Sequence, residues 1–181
     1  GNGLSFTSIR IVDEANQPVA VGERGEICIK GPNVMRGYWN RPDATAAAID
    51  KEGWFHSGDI GYFDEDGFLF ICDRLKDMII SGGENIFPIE VESVILTHEA
   101  VGEVAVIGIP DDKWGEAVLA IIVPRDGASV TYDEILDHCR PQIAKYKLPR
   151  AITIRSEPLP LSGAGKVLKR KLRTPYWEGV R

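Results

Sequence analysis

A chain of 181 residues has room for one ordinary domain or two small ones. Its hydrophobic share of 44% is too high for a disordered segment, and no apolar run approaches the roughly 18 residues of a membrane span. The net charge of −6 hides an asymmetry: residues 1–144 carry 11 Lys and Arg against 25 Asp and Glu, whereas residues 145–181 carry 10 against 2.

The first 75 residues read as short strands separated by turns. FTSIRIV (6–12) and GEICIKG (25–31) alternate or run apolar over strand length, and EANQP and VGERG are turns. Tyr62–Phe63, DEDG (64–67) and FLFIC (68–72) spell a hairpin, with Asp-Gly supplying a left-handed turn position. DEDG lacks the further spaced oxygen ligands and closing Glu of a calcium loop, so it reads as a turn.

After residue 76 the pattern changes to mixed helix and strand. Pro88 opens IEVESVILTHEAV, a helix with Val91, Val94, Ile95 and His98 on one face. VGEVAVIGIP and AVLAIIVPRDG are strands. Thr131-Tyr-Asp-Glu134 is a capping-box signature, opening a helix that Ile135, Cys139 and Ile143 line and that Pro141 should kink or shorten. AITIRSEP is a last strand, LPLSGAGK a loop, and VLKRKLR begins a short final helix. An all-β part therefore meets an α+β part near residues 75–77.

The minor residue types narrow the class further. Cys28, Cys72 and Cys139 are odd in number and widely spaced, which argues against a disulfide framework or zinc site and fits a reducing cytoplasm. His56, His98 and His138 lack metal-ligand spacing. The opening GNGLSFTSIR has neither an initiating Met nor the regions of a signal peptide, so the chain reads as an excised piece of something larger. A basic tail is commonly a solvated face; its rivals are nucleic acid or a phosphate-rich ligand. The aromatics sit at the tail's edges (Tyr146, Tyr176, Trp177) instead of between the charges, which favours a nucleotide over nucleic acid.

Four segments can carry chemistry. In GWFHSGDIG (53–61), Gly58-Asp59 reads as a tight turn presenting a carboxylate, a role that is most often structural. In DRLKDMIISGGENIFPIEVE (73–92), Arg74 and Lys76 lie on one side of an extended segment and can meet phosphate or ribose oxygens. Ser81-Gly82-Gly83 would admit a ligand close to the backbone, or serve only as a flexible linker. PLSGAGKVLKRKL (160–172) ends its small loop in Lys166. It is no P-loop, since Pro160 stands at the first Gly position and Val167 replaces the magnesium-binding hydroxyl. GERGEICIKGPNVMRGYWNRPDATAAAI (22–49) shows by itself a strand and a turn-rich stretch.

In order and spacing the four together resemble the adenylate-forming superfamily of acyl- and aryl-CoA synthetases, peptide-synthetase adenylation domains and beetle luciferases. That family writes them as GEL-x-I/V-x-G-P-x-V-x-x-GY-x-N-x-P, W-x-x-TGD, G/D-R-x-K/D-D-x-I-x-x-x-G-x-N/x-I-x-P-x-E-I/V-E and P-x-T-x-x-GK-x-x-R. Residues 22–170 supply all four. Ser57 replaces the usual Thr, Asp73 replaces a Gly, and Ile80 stands where some branches carry Lys. SGGENIFP is most similar to bacterial fatty- and aryl-acid ligases.

The resemblance implies an α+β chain: a small β-barrel-like subdomain ending the large domain (1–75), then the whole compact, mobile small domain (76–181). It implies an ATP-dependent acid–thiol ligase that makes acyl-CoA, AMP and pyrophosphate from a carboxylic acid, ATP and coenzyme A through an acyl-adenylate. Asp59 would accept hydrogen bonds from the ribose hydroxyls, Arg74 would contact ribose or phosphate, and Ile71 would pack beside the nucleotide. Lys166 would bridge the attacking carboxylate and the α-phosphate. Lys76 would be the hinge, and Gly82, Gly83 and Glu84 would line the pantetheine channel. The phosphate loop, the magnesium-binding Glu and the acyl pocket precede these motifs in the family. Mg2+ would then be held upstream, with no metal ligand in this chain, and the upstream part of the same chain would be its partner. Neither nucleic acid nor a transmembrane segment is implied. The other readings are an adenylation domain loading a carrier protein and a free-standing nucleotide- or partner-binding module.

Overall fold

Four antiparallel strands build the N-terminal unit, Gly1–Lys76, of the computed structural model, which describes residues 6–163 and 165–179. They are β1 (Ser8–Val12), β2 (Gly25–Lys30), β3 (Phe55–Phe63) and β4 (Leu69–Arg74), side by side in chain order. Buried neighbours in sequence, Ile11 with Val12 and Ile27 with Cys28, point to opposite faces, so both faces of the sheet centre are covered. Asp64 closes the β3–β4 hairpin as expected, its side chain accepting the N–H groups of Asp66 and Phe68. The barrel-like form implied by resemblance is corrected: among the described residues β1 and β4 are free edges of an open sheet. Closure requires first and last strands to pair at a tilt, and β4 runs instead into a 3-10 turn, Leu75–Asp77.

Between β2 and β3 lies a helix that strand-and-turn reasoning did not foresee, α1 (Pro42–Ala48). Pro42 presets the first turn and the alanines propagate it. The Thr45 hydroxyl fastens it, donating to the Arg41 carbonyl and accepting from the Tyr38 N–H.

The second unit, Asp77–Arg181, is built on a mixed sheet. Its strands are β5 (Ile79–Ser81), β6 (Glu84–Ile86), β7 (Val101–Asp111), β8 (Gly115–Pro124) and β9 (Ala151–Ile154). The order is β6-β5-β8-β7, and β9 pairs in parallel with β8. On one face, Val104 and Val106 of β7 and Val118, Ala120 and Ile122 of β8 pack with α2 (Pro88–Ile95) and α3 (Tyr132–Cys139). On the other, Ala105, Ile107, Leu119 and Ile121 pack with Leu159 and with Leu172 of α4 (Lys169–Trp177). Burial of both faces is why β7 and β8 read as continuous apolar runs.

The helix ends are set by local chemistry and by tertiary anchors. The capping box at α3 forms as read, with Thr131 accepting the Glu134 N–H and Glu134 accepting the Thr131 N–H. That helix stops at Cys139, just ahead of Pro141. Helix α2 is shorter than its apolar period suggested. The Thr97 hydroxyl donates to the Val94 carbonyl, the chain tightens into turns, and His98 lies beyond the helix against His138. Helix α4 runs past Pro175, where sequence rules would end it. Its C-terminal half is held from outside: Trp177 Nε1 donates to the Gly108 carbonyl at 3.0 Å and Arg173 reaches Glu116 at 2.8 Å. No described helix is long and apolar enough to cross a membrane.

Candidate functional site

Asp59 is not in a turn, as the Gly-Asp step suggested, but inside β3. Glu26 pairs with Ile60 and Cys28 with His56, so Ser57, Gly58 and Asp59 together face the single residue Ile27. The three form a β-bulge, which bends the strand and re-aims its side chains. Gly58 makes this possible with φ of 71°, a left-handed value that any side chain would strain. The Ser57 hydroxyl accepts the Asp59 N–H at 3.1 Å, a task Ser and Thr perform equally. Across the ladder Asp59 faces Arg74, and the Asp59 carboxylate meets Arg74 Nε at 3.2 Å. Sequence reading named both residues without seeing that they pair. A second irregularity, at Cys72, separates Arg74 from Ile71, which is 69% exposed on β4 and available as an apolar surface.

Beneath the bulge lies a polar network that sequence reading missed. Glu26 Oε1 accepts the Gly58 N–H at 3.0 Å, and Glu26 Oε2 lies 2.7 Å from His56 Nδ1. On the far side of the ring, Asp50 Oδ2 is 3.7 Å from Nε2 and is itself held by Arg10 at 3.0 Å. Burial works to raise the Asp50 carboxyl, but N–H groups of Trp54 and Glu52 and the Arg10 guanidinium together hold it below the usual carboxylate range. Burial and the nearby Glu26 charge push the Cys28 thiol upward.

Glu26, Cys28 and His56 converge closely enough to suggest a metal centre. The geometry is otherwise. Two oxygen or nitrogen ligands of a tetrahedral ion stand about 3.3 Å apart, whereas Glu26 and His56 are in direct hydrogen-bond contact at 2.7 Å. Both Glu26 oxygens are thereby engaged. The sequence offered no advance signal, because Glu26 and His56 stand thirty residues apart and meet only where β2 and β3 pair.

In the second unit, Gly82 and Gly83 are the two central residues of the β5–β6 hairpin, with φ of 62° and 85°. Two consecutive positive values match the turn that suits a two-residue hairpin. The segment is thus a defined turn and no flexible linker. Gly82 donates its N–H to the Trp114 carbonyl at 2.8 Å, and a Cβ on it would lie 2.6 Å from the Trp114 ring. A Cβ on Gly83 would meet nothing within 4 Å, and Glu84 beside it is exposed. Gly82→Ala is therefore expected to cost more stability than Gly83→Ala. The latter should lose only the roughly 1–2 kcal/mol of a left-handed backbone, the former that amount plus the displacement of Trp114. Urea unfolding midpoints of the two variants check the order.

Lys76 sits in the 3-10 turn where the chain passes from the first unit to the second, so the extended segment expected for Arg74 to Lys76 ends at Arg74. Lys166 is exposed, in a loop cinched by the bridge between Leu161 and Val167. Its N–H is donated to the Ser162 hydroxyl at 3.1 Å, and its carbonyl accepts the Ser162 N–H at 2.7 Å. The backbone is fixed while the ammonium pairs with no described carboxylate. Some basic residues of the same stretch are paired, Lys169 with Glu92 at 2.8 Å, Arg173 with Glu116 at 2.8 Å and Lys147 with Glu90 at 2.7 Å, whereas Lys145, Arg170 and Lys171 meet no described carboxylate either. The basic tail is thus in part the counter-charge of this unit's own acidic residues. Glu92 is nearly buried and also accepts the Val106 N–H at 2.7 Å. Burial raises the Glu116 carboxyl although Arg173 pulls it down.

An open antiparallel sheet followed by an α+β unit is the architecture that this chain shares with the C-terminal part of adenylate-forming enzymes. Residues 90–166 match the AMP-binding enzyme C-terminal domain, and residues 1–39 match the AMP-binding enzyme model. The chain belongs to the AMP-binding enzyme family. It is 49% identical over 171 residues to a feruloyl-CoA synthase of Amycolatopsis sp, covering 94% of this chain and 34% of that protein. To a long-chain-fatty-acid–CoA ligase of Salmonella typhimurium strain LT2 it is 49% identical over 173 residues, covering 96% and 30%. The o-succinylbenzoate CoA synthetase MenE of Bacillus subtilis, solved with the acyl-adenylate OSB-AMP, superposes with a TM-score of 0.85 at 43% identity, covering 95% of this chain and 34% of that one. The chain spans about a third of the length of the relatives it matches.

Proposed function

We propose that this chain is the C-terminal third of an AMP-forming acyl-CoA synthetase, which converts a carboxylic acid, ATP and coenzyme A into acyl-CoA, AMP and pyrophosphate. The observation that carries the reading is the Asp59–Arg74 pair presented by the bulge, at the positions where the family motifs put nucleotide contacts. A carboxylate has the lone pairs to accept from two adjacent ribose hydroxyls at once. Arg74, already held beside it, adds a fixed cation within reach of ribose or phosphate oxygens. Ile71 supplies an exposed apolar surface next to them.

Lys166 opposes the negative charge that builds as the acid's carboxylate attacks the α-phosphate and pyrophosphate leaves. A positioned cation there lowers that barrier directly. The open space around Gly83, with Gly82 and Glu84 on the same hairpin, suits passage of a thin pantetheine arm, and Lys76 serves as the pivot between the units. Mg2+, which would neutralise phosphate charge, would be held by the upstream part of the protein, together with the acyl pocket. Three cysteines without a disulfide among them accord with a reducing, cytoplasmic setting.

The test compares the full-length enzyme with this chain alone, using a panel of aryl and fatty acids and assaying pyrophosphate release and acyl-CoA formation. The full-length enzyme is expected to form acyl-CoA. The isolated chain should stay below about 1% of that rate, because catalysis needs both halves of the site positioned together. Robust turnover by the isolated chain would overturn the reading as a third of a larger site. Adenylation without any consumption of coenzyme A would overturn the ligase assignment.

A further inference from the structure

The polar network under the bulge has no role in the chemistry described so far, yet it touches the bulge directly. Asp59 lies one residue past Gly58, whose N–H is left without a ladder partner by the two-residue surplus of β3. Glu26 Oε1 takes that N–H at 3.0 Å. The other oxygen of this carboxylate is held as well, by His56 at 2.7 Å. His56 is itself wedged between Glu26 and Asp50, with the Cys28 sulfur 3.5 Å from Nδ1. Asp50 is locked by two backbone N–H groups at 2.9 Å and by Arg10, whose guanidinium rests 4.4 Å over the Trp54 ring. The side chains of Arg10, Asp50, Glu26 and His56 are all mostly buried.

We propose that Glu26 and His56 are positioning residues for the nucleotide: the His56-braced Glu26 carboxylate clamps the Gly58 N–H and so fixes where the Asp59 carboxylate stands. The inference rests on the reading of Asp59 as the ribose acceptor. It adds that the position of Asp59 is set from beneath the bulge as well as by Arg74 across the ladder. Because the clamp is a single acceptor on a single N–H, what matters at position 26 is reach and not charge. Gln presents a carbonyl at the same distance; Asp keeps the charge but withdraws it by one methylene; Ala removes it.

In the full-length enzyme, steady-state KM values for ATP, acid and coenzyme A are measured for Asp59→Ala, Glu26→Ala, Glu26→Asp, Glu26→Gln and His56→Ala, with thermal midpoints alongside. Asp59→Ala should raise the ATP KM strongly. Glu26→Ala and Glu26→Asp should raise it about tenfold, the scale of a modest misplacement at a reacting site, and leave the KM for acid and coenzyme A within about twofold. Glu26→Gln should return it to within about twofold of the parent, and His56→Ala should fall between. An unchanged ATP KM in Asp59→Ala would remove the nucleotide-site reading and this inference with it. A raised KM in Asp59→Ala with no change in Glu26→Asp would sink the clamp alone, as would a rise in all three KM values together. If Glu26→Ala does not fold, the contrast of Asp against Gln still decides. Parity between those two variants overturns the proposal.

Discussion

Lys166→Ala is expected to abolish adenylate formation in the full-length enzyme while sparing thioester formation from supplied acyl-adenylate. The side chain is exposed and pairs with no described acid, so its loss leaves no buried charge and no cavity. The loop geometry belongs to Ser162, whose hydroxyl and N–H hold the Lys166 backbone irrespective of the side chain. What disappears is one cation at the point where two anions combine. Removing a single donor of that kind typically costs about a hundredfold or more in rate. The second half-reaction builds no such charge at the phosphate, and its rate should stay within about threefold. Pyrophosphate release and thioester formation are assayed separately; an equal loss in both would show that the lysine is structural.

Lys76→Pro should do the reverse. Lys76 is the middle residue of a 3-10 turn, whose φ lies in the range that proline imposes, so the φ of this residue itself remains open to the variant at some strain on Leu75 before it. Conformations that need another φ at this residue are closed to it, and the range of Leu75 before it narrows as well. If the enzyme completes its two half-reactions in two arrangements of its units, a locked pivot keeps one and loses the other. Adenylation is the one expected to survive, within about threefold, because ATP and acid act before coenzyme A arrives. Thioester formation should fall at least about tenfold. A matched decline of both, or untouched overall ligation, would move the pivot elsewhere.

What could be read in advance depended on the range of the interactions involved. The α3 capping box lies within four residues of chain, and its partners find each other in any fold that leaves that turn exposed. The β3–β4 hairpin is likewise local; the β5–β6 glycine turn is local too, yet its two glycines read equally well as a flexible linker. Helix α1 was legible in principle, since Pro followed by Asp and alanines is a helix start, but the glycines around it made the stretch look like turns. The end of α2 and the extension of α4 past Pro175 were not legible. One is set by a side chain competing for a backbone carbonyl, the other by anchors at Gly108 and Glu116, about 60 to 70 residues away in sequence.

The sequence by itself determined the residue types of the candidate site, their order, the family and the alternation of a β part with an α+β part, because motifs and periodicities are properties of consecutive residues. Only the tertiary structure decided that Asp59 stands on a bulge opposite Arg74. A bulge is a mismatch of register between two strands and has no existence within either one. It also decided that Lys169, Arg173 and Lys147 are spent on Glu92, Glu116 and Glu90 while Lys166, like Lys145, Arg170 and Lys171, keeps its charge unpaired among the described residues. Composition counts those lysines and arginines alike. Which of them is left to meet a substrate depends on which carboxylates folding brings within about 3 Å, where charge-assisted hydrogen bonds form.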